Sequence, residues 1–454
     1  MIQACATAAP LEPDSDGIRQ AFDQPTRPFK SRRLTRVERL AHEQASTGFP
    51  GEAMAHQLHN LRVFLFAANA GSMARAAEQL FKAPSAVTRS ITELERALGS
   101  ALFLRQPRGI TLTACGESVR QRATRIQEEI LTAARPFLTP SPRGFSNSPH
   151  AVGTLLCNGR KLLLLTYLAS LRNISLAAQK MGMTQAGASM ALSRMEEVLG
   201  QALFHRRNDG MIATDSAEKL VLHARRIFAE LRHMEAEVAA EPGQVRGNVV
   251  IGTTPLGRTG HITQAIAKAI ADNPGLRITT VEGSYNHLVE ILGKGEVDMV
   301  VGALRPSHQC HGLVTQPLFD DRLAILARAD HPLAQKPSVD LTELVKERWV
   351  MPRANALARP MIEHAFEQAG ATLPVVAIET GDVSIVRQLL QSTDMLAVTT
   401  PHPFAQDMTQ GLVCELSVGP LGLVRQIGLI RRRGAVLNAA CQLVIEAIQH
   451  GVRG

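Results

Sequence analysis

Four polar side chains, spaced at positions i, i+3, i+4 and i+7, share one face of a predicted helix: Ser85, Thr88, Arg89 and Thr92. Hydroxyl groups and a guanidinium in such a row suit the phosphate oxygens and base edges of double-stranded DNA, because arginine can donate a forked pair of hydrogen bonds to guanine. The row is also compatible with an ordinary solvated helix face. The surrounding elements decide between the two interpretations.

The elements that must position this face form a predicted helix-turn-helix. A short amphipathic helix is predicted over Met73–Phe81, and Lys82–Pro84 interrupts it. A second helix is predicted from Ser85, acting as its N-cap, to about Leu98, where Gly99 ends it. Its buried face is expected to carry Ala86, Val87, Ile91 and Leu94. Two short helices joined by about four residues form a helix-turn-helix, and its second helix has a size that can enter the major groove.

A hairpin and a long helix follow. The run LFLRQPRGITLT predicts two short strands around a Pro-Arg-Gly turn, a wing that would hold Arg105 and Arg108 at the DNA backbone. Over Ala114–Leu138, apolar residues recur along one stripe of a long helix. Because such a stripe has to be buried, we expect it to pack most simply against a partner copy of the chain.

The whole unit returns without gaps at an offset of 101 residues. The pair Ala76-Ala77 returns as Ala177-Ala178, and the run Leu98–Phe103 returns as Leu199–Phe204 with one change. The identities fall at apolar and turn positions, where a duplicated fold should keep them. The chain therefore contains a duplicated unit.

The second copy changes the polar face. Met190 stands at the position of Arg89, and Ser193 at the position of Thr92. The residues still suited to DNA contact are Thr184, Gln185, Ser189 and Arg206. Two interpretations stay open for this copy: it contacts bases, or it serves as a dimerising module, which needs no basic face.

The net charge of +8 over 454 residues suggests an anionic partner, and the charge is unevenly distributed. Residues 1–145 hold 19 basic and 13 acidic side chains (+6), residues 146–245 hold 11 and 9 (+2), and residues 246–454 hold 19 of each. The excess lies mostly on the first copy, where phosphates can meet it. Aromatic residues make up only 4%, which argues against recognition of single strands by base stacking.

Two segments lack a sustained apolar period. Residues 1–55 are expected to be a disordered extension with one short helix near residues 33–42, and residues 139–155 a flexible linker. The N-terminus does not have the pattern of a secretory signal, and no apolar run nears the roughly 18 residues of a membrane span. Six cysteines are too few for a disulfide framework and suggest a reducing cytoplasm.

After residue 245 strands alternate with helices, which predicts parallel sheets in two α/β lobes. Thr253 and Thr254 stand between a strand and a helix, where hydroxyls and free amides can bind a carboxylate. Ordinary capping of the helix is the alternative. Thr380 and Thr400 also follow apolar strands and are expected where the two lobes converge on a cleft.

No enzymatic motif emerges from the sequence. His308, Cys310 and His311 lie close together in HQCH, but no second ligand pair follows at metal-binding spacing, which favours a loop. Phosphate-binding glycine patterns and HExxH are absent. We predict no enzymatic activity, no metal and no cofactor.

The run AAEQLFKAPSAVTRSITELERALGSALFLRQPRGITLTACGE resembles the winged helix-turn-helix of LysR-type transcriptional regulators. Pro84 departs from the family pattern, which usually has Gln or Ser there. From Val245 on, runs such as VVIGTTPLGRT and VEGSYNHLVEILGKGEVDMVVGALR resemble the family's periplasmic-binding-protein-like effector domain, in the branch that includes regulators of a galactose-binding protein and of protocatechuate breakdown. The resemblance implies an effector pocket that involves Thr253, Thr254, Ser284, Ala303, Met351, Thr380 and Thr400.

The chain departs from the family in carrying two heads. A family chain has one head and one linker helix, and residues 155–454 already make such a chain. We expect a duplication of head and linker helix, with loss of the recognition arginine in the second copy. Met54 stands where a family chain normally begins.

We therefore predict a multidomain chain, with two α-helical winged helix-turn-helix units and long linker helices before a two-lobed α/β effector domain. The predicted divisions are residues 1–55 (extension), 56–138 (first head and linker helix), 139–155 (linker), 156–245 (second head and linker helix) and 246–454 (effector domain). Lobe one is predicted at residues 246–322 and 424–454, and lobe two at residues 323–423.

The predicted function is a cytoplasmic, sequence-specific regulator of catabolic genes that is controlled by a small organic effector, a sugar or an aromatic acid. Expected partners are double-stranded DNA, the effector, RNA polymerase and further copies in a homodimer or homotetramer, without a membrane. Closure of the two lobes around the effector is expected to shift the arrangement of the subunits, and with it the spacing of the heads on DNA. Two alternatives are a metabolite-binding protein whose heads only dimerise, and a nucleoid-type DNA binder with an unresponsive sensor domain.

Overall fold

The computed structural model describes residues 49, 51–106, 109–138, 148–208, 210–239, 245–254, 260–306, 310–419 and 422–453. The helix predicted near residues 33–42 lies outside the described residues, and so does most of the predicted extension. The described chain has a helical head block, residues 51–239, followed by a two-lobed α/β region.

Among the described residues, the first half of the head block contains four α-helices and a hairpin. Its elements are α1 (Leu58–Ala70), α2 (Met73–Gln79), α3 (Pro84–Leu98), β1 (Phe103–Gln106), β2 (Gly109–Leu112) and α4 (Ala114–Leu138). Gly99 ends α3 with a φ of 69°, a left-handed conformation that a residue without Cβ adopts readily. The Glu95 carboxylate accepts a hydrogen bond from the Leu102 amide at 2.8 Å, which ties α3 to the hairpin. We call α1 to β2 the first head.

The second half repeats these elements 101 residues later. Helix α5 (Pro149–Leu156) precedes it, and the repeated elements are α6 (Gly159–Leu171), α7 (Ile174–Lys180), α8 (Gln185–Leu199), β3 (Phe204–Arg207), β4 (Gly210–Ala213) and α9 (Asp215–Val238). The Glu196 carboxylate accepts from the Leu203 amide at 2.8 Å, just as Glu95 accepts from Leu102. We call α6 to β4 the second head.

Three local predictions are wrong. Ser85 does not cap α3: the N-cap is Ala83, and Pro84, which has no amide hydrogen to satisfy, starts the helix. Ala86 is exposed, because it lies at the edge of the polar row rather than with the core-facing residues. Part of the predicted linker forms helix α5 (Pro149–Leu156), whose apolar residues Val152 and Leu155 are buried in the core.

The end of the predicted extension also belongs to the fold, contrary to expectation. The Phe49 ring lies 4.7 Å from the Tyr167 ring, between centroids, and the Tyr167 hydroxyl donates to Glu52 at 2.5 Å. Met54 and Ala55 are buried. The segment is part of the fold because the second half of the head block contacts it, through Tyr167 and through Gly159, where a Cβ would lie 1.9 Å from the Ala55 carbonyl oxygen.

The long helices α4 and α9 pack against each other within one chain. Ser118, near the start of α4, donates to Glu237, near the end of α9, at 2.7 Å. Glu129, further along α4, lies 2.5 Å from His223, near the start of α9. The two helices are therefore antiparallel. The prediction that the stripe of α4 meets a partner copy is wrong, because the duplicated helix of the same chain covers it.

Two five-stranded sheets form the α/β region. The strands are β5 (Gly247–Thr253), β6 (Leu276–Glu282), β7 (Met299–Ala303), β8 (Leu313–Arg322), β9 (Ala324–Arg328), β10 (Arg348–Met351), β11 (Val375–Glu379), β12 (Leu396–Thr399), β13 (Val413–Glu415) and β14 (Val424–Arg432). The sheet of lobe one has the order β6-β5-β7-β14-β8, and that of lobe two β11-β10-β12-β9-β13. The chain crosses between the lobes from β8 to β9 and from β13 to β14.

Helices cover both sheets. Lobe one has α10 (Gly260–Asp272), α11 (Tyr285–Gly293) and α16 (Ala439–Arg453), and lobe two has α12 (Leu341–Leu344), α13 (Ala358–Gln368), α14 (Val383–Ser392) and α15 (Ala405–Thr409). In each sheet three parallel strands bring their carboxyl ends to one edge. Among the described helices, none is both long and apolar enough to cross a membrane.

Helix α9 also docks on lobe one. The Arg226 Nε donates to the Gly293 carbonyl at 2.8 Å, and Arg232 donates to the Asp298 carboxylate at 2.5 Å. Arg225 pairs with Glu296 beside them. The helix therefore joins the second head, the first long helix and lobe one.

Candidate functional site

The polar row on α3 faces outward. Ser85, Arg89 and Thr92 are exposed, and Thr88 is half-buried, with its hydroxyl donating to the Pro84 carbonyl at 3.0 Å. The opposite face is held in the core by Val87, Ile91 and Leu94. The buried side therefore fixes the helix while the polar row stays accessible.

Arg89 presents its guanidinium to solvent, with a side chain that is 82% exposed. Its Nε donates to the Glu93 carboxylate at 2.9 Å, one turn along the helix, and this hydrogen bond lowers the pKa of Glu93. Because the described contact uses Nε, both Nη groups are left for a forked hydrogen bond to a guanine edge.

The hairpin of the first head stands where the sequence predicts a wing. Arg105 lies on β1, opposite Ile110 on β2 in an antiparallel pair. The side chain of Arg105 and the whole of Arg108 lie outside the described residues.

The second head carries a different surface. The Thr184 hydroxyl caps α8 by accepting from the Gly187 amide at 3.1 Å, and Gln185 is exposed beside it. Ser189 is half-buried, whereas Met190 is 53% exposed. Arg206 is exposed on β3, as is its neighbour Arg207. This head therefore combines a helix face that carries both polar side chains and an exposed methionine with a basic hairpin.

Four predicted effector residues lie at the carboxyl edge of the sheet in lobe one. Thr253 ends β5 and is buried, and its hydroxyl has no hydrogen-bond partner among the described residues. Thr254 follows it, and Ala303 ends β7. The Ser284 hydroxyl caps α11, accepting from the His287 amide at 3.4 Å.

The other three predicted residues lie at the corresponding edge of lobe two. Met351 ends β10 and is buried. The Thr380 hydroxyl accepts from the Asp382 amide at 3.1 Å. The Thr400 hydroxyl donates across the lobes to Asp321 at 2.5 Å, and Arg425 holds the same carboxylate at 2.6 Å. Thr400 therefore links the lobes beside both chain crossings.

The two lobes approach each other around this edge. A Cβ at Gly260 of lobe one would lie 2.7 Å from the His402 ring of lobe two. Arg305 donates to the Asn355 carbonyl at 3.4 Å. The two lobes therefore contact each other, and the candidate residues lie on the sheet edges of both lobes.

Comparisons with known proteins match these parts. The family model for bacterial regulatory helix-turn-helix proteins of the lysR family matches residues 58–117 and again 160–218, and the LysR substrate binding domain matches residues 242–453. The HTH-type transcriptional regulator GalR of Pseudomonas putida is 34% identical over 392 residues, 86% of this chain and 96% of that protein. The chain belongs to the LysR family.

Other relatives and solved structures match less of the chain. The regulator GbpR of Rhizobium radiobacter is 31% identical over 240 residues, 52% of this chain and 78% of that protein. A full-length OxyR structure from Pseudomonas aeruginosa covers 65% of this chain and 94% of its own, with 19% identity and a TM-score of 0.48. As a LysR-family member, the chain is a DNA-binding transcription regulator with an effector-binding domain.

The helix predicted over Met73–Phe81 ends earlier, at Gln79, and the sequence patterns therefore missed the exposed position of Phe81. Phe81, in the turn between α2 and α3, is 96% exposed and has a φ of 52°. Its counterpart in the second head is Gly182, with a φ of 61°. That glycine was the available signal, because it marks a left-handed turn at the same place in the repeat.

One buried cluster of this LysR-type chain has metal-ligating atom types among the described residues: His233, Asp298 and Cys441, with ligand atoms within 4.8 Å of one another. Arg232 already compensates the Asp298 carboxylate at 2.5 Å, and a guanidinium beside the carboxylate opposes a second cation. Burial raises the pKa of the Cys441 thiol, which favours the neutral form over the thiolate that binds metals. We assign the cluster to the docking of α9 on lobe one.

Proposed function

We propose that this LysR-family chain is a cytoplasmic, sequence-specific regulator of catabolic genes whose first head reads the operator. Ser85, Thr88, Arg89 and Thr92 would contact base edges and phosphates, and the wing residues Arg105 and Arg108 the backbone. The observation that carries the proposal is the 82% exposed Arg89 side chain on a helix whose opposite face is fixed in the core. RNA polymerase and further copies of the chain, in a homodimer or homotetramer, complete the proposed assembly.

The proposed controlling ligand is a small organic effector, a sugar or an aromatic acid, bound at the facing edges of the lobes. The pocket would be formed by Thr253, Thr254, Ser284, Ala303, Met351, Thr380 and Thr400. The buried hydroxyl of Thr253, which has no partner among the described residues, supports this site, because such a group is unfavourable unless a ligand or water completes its hydrogen bonds.

Helix α9 supplies a route from the effector to the heads. Lobe one contacts this helix through Asp298 and the Gly293 carbonyl, whereas lobe two joins through the chain crossings and the Thr400–Asp321 contact. A ligand that favours one arrangement of the lobes would therefore move lobe two against the combined body of lobe one and the heads. Within one chain the shared core fixes the two heads relative to each other, so a change in head spacing would have to occur between chains.

A gel-shift assay with operator DNA tests the proposal. The double variant Thr88→Ala/Arg89→Ala should abolish sequence-specific retention, whereas Met190→Ala, which shortens an exposed side chain on the other head, should weaken it much less. The opposite result would show that the heads are wrongly assigned. Absence of sequence-specific retention in the wild type and in all variants, at every salt concentration, would favour the metabolite-binding alternative, in which the heads only dimerise.

Effector control has its own test. Candidate sugars and aromatic acids should raise the melting temperature in a saturable manner and change the footprint at a defined site. A footprint that responds to none of the ligands that stabilise the protein would favour the nucleoid-type alternative.

A further inference from the structure

We infer that one chain is by itself a two-headed reader of an inverted operator whose two half-sites differ in sequence. The inference rests on the proposed DNA binding and adds the geometry and the unequal specificity of the two heads. Its first support is the repeat: each element of the first head and α4 returns 101 residues later with bounds that differ by at most one residue.

The two halves are related by a pseudo-two-fold axis. Arg122 pairs with Glu230 at 2.8 Å, and His223 with Glu129 at 2.5 Å. At the repeat offset, His223 is the counterpart of Arg122, and Glu230 is the counterpart of Glu129. The same pair of positions therefore meets twice, with the two copies exchanging roles, as in the isologous interface of a symmetric dimer.

The segments that lead into the two halves repeat this reciprocity. Gly51, ahead of the first head, lies against Phe228 of α9, so close that a Cβ would be 2.1 Å from its carbonyl oxygen. Helix α5, ahead of the second head, is buried in the shared core and packs against α4. Each entry segment thus covers the long helix of the other half, and a single core holds both heads.

A two-fold pair of recognition helices matches the two-fold symmetry of the DNA backbone. Symmetric head pairs read half-sites in inverted orientation, so α3 and α8 of one chain should meet two inverted half-sites. A second chain is not needed to complete the pair, because the long-helix interface is already filled within the chain.

The two recognition surfaces are nonetheless unequal. Arg89 offers a guanidinium suited to guanine, whereas its counterpart Met190 offers an exposed thioether chain suited to the thymine methyl group. At the start of the helices, the second head has Thr184 and Gln185 where the first has Ala83 and Pro84. Glutamine pairs best with adenine, so the second half-site should be richer in A·T pairs.

Selection of bound sequences from a random DNA pool by the full chain tests the inference. The wild-type site should contain two inverted, unequal half-sites. Arg89→Met should change only the half with guanine and weaken binding to the wild-type site by about ten- to a hundred-fold, and Met190→Arg should make the other half resemble it. Arg277→Met, an exposed arginine on lobe one, is the matched control, and circular dichroism should show unchanged helix content in all three variants.

The ratio of chains to DNA gives a second measurement. Native mass spectrometry with a duplex that holds one pair of half-sites should give one duplex per chain, whatever the number of associated chains. One duplex per two chains would overturn the inference, as would a selected site in which only one half carries sequence information. Failure of the wild-type chain to enrich any sequence would instead overturn the proposed function, and the inference with it.

Discussion

Arg122 of the first long helix and Glu230 of the second form an ion pair at 2.8 Å in which both side chains are almost inaccessible to solvent. The same Nη1 donates to the Val436 carbonyl of lobe one at 2.8 Å, and the guanidinium also pairs with Glu237. One arginine therefore connects the two halves of the head block and the effector domain.

Removal of this arginine should destabilise the chain strongly. Arg122→Met leaves Glu230 buried without its closest cation, and breaking a buried pair in this way costs roughly 3–5 kcal/mol. Urea denaturation followed by circular dichroism should show the loss. Arg120→Met is the matched control, because its pair with Glu117 lies on the surface of the same helix and contributes little. Equal stability of the two variants would contradict the central role of Arg122.

The close approach of the second head to the segment before the first head can be tested by adding a Cβ to a glycine. A Cβ at Gly159 would lie 1.9 Å from the Ala55 carbonyl oxygen, so Gly159→Ala should force the backbone apart and cost about 2 kcal/mol or more. Gly153→Ala, in α5, meets nothing within 4 Å and should stabilise the helix by about 0.5–1 kcal/mol. Denaturation midpoints that move in the same direction for both variants would argue against the observed packing.

The sequence predicts the order of elements well because their signals are local. The apolar period of α4, the glycine that ends α3 and the repeat offset need no knowledge of tertiary contacts. Which element covers an apolar stripe depends on tertiary contacts. The stripe of α4 packs against α9 of the same chain rather than against a partner copy. The packing of Phe49 against Tyr167 could not be predicted for the same reason, since the two residues lie more than 100 positions apart in the sequence.

In the candidate site, too, the features set by local sequence signals are predictable, whereas those set by tertiary contacts are not. The outward polar row on α3 follows from helical periodicity, but the exposure of Ala86 depends on where the core begins around the helix. The placement of Thr253 and Thr400 at the ends of strands is predictable, because parallel strands end at one edge. That Thr400 is engaged by Asp321 while Thr253 lacks a described partner depends on residues distant in sequence.

The basic hairpin of the second head can be tested through salt dependence. If Arg206 contacts a phosphate, Arg206→Gln should reduce the slope of log K against log salt concentration by about one, with weaker binding to all sequences. Fluorescence anisotropy with labelled operator DNA at several salt concentrations measures this slope. Lys268→Gln, an exposed cation on α10, should leave it unchanged. A slope equal to that of the wild type in Arg206→Gln would mean that this hairpin does not touch DNA.

The contact between α9 and lobe one should depend on pH. Burial raises the pKa of the Asp298 carboxyl, but the hydrogen bond from His233 and the charge of Arg232 outweigh it, so the pKa falls below its ordinary 3.8. The folded state therefore gains stability from the carboxylate above pH 3.8 and loses it as the pH falls through the lowered pKa.

Asp298→Asn measures this contribution. The variant should be less stable than the wild type by about 2 kcal/mol or more at pH 7, and the difference should shrink below about pH 4. Urea denaturation between pH 3 and pH 7 tests the prediction, with Asp272→Asn as an exposed control. A difference that stays constant over this range would show that the charge of Asp298 does not stabilise the docking.

Two buried threonines at the proposed effector site should respond in opposite ways to the same change. The Thr253 hydroxyl has no partner among the described residues, so Thr253→Val should leave stability unchanged or raise it by up to about 1 kcal/mol, while the affinity for an effector that uses this hydroxyl falls. Thr400→Val removes the hydrogen bond to Asp321 across the lobes and should cost about 1–3 kcal/mol. Trp349, the single tryptophan, is buried in lobe two, so its fluorescence follows the unfolding of the lobe that contains Thr400. If Thr253→Val instead destabilised the protein as much as Thr400→Val, its hydroxyl would be a structural group of the free protein, and the effector would have to be held by other residues of the facing edges.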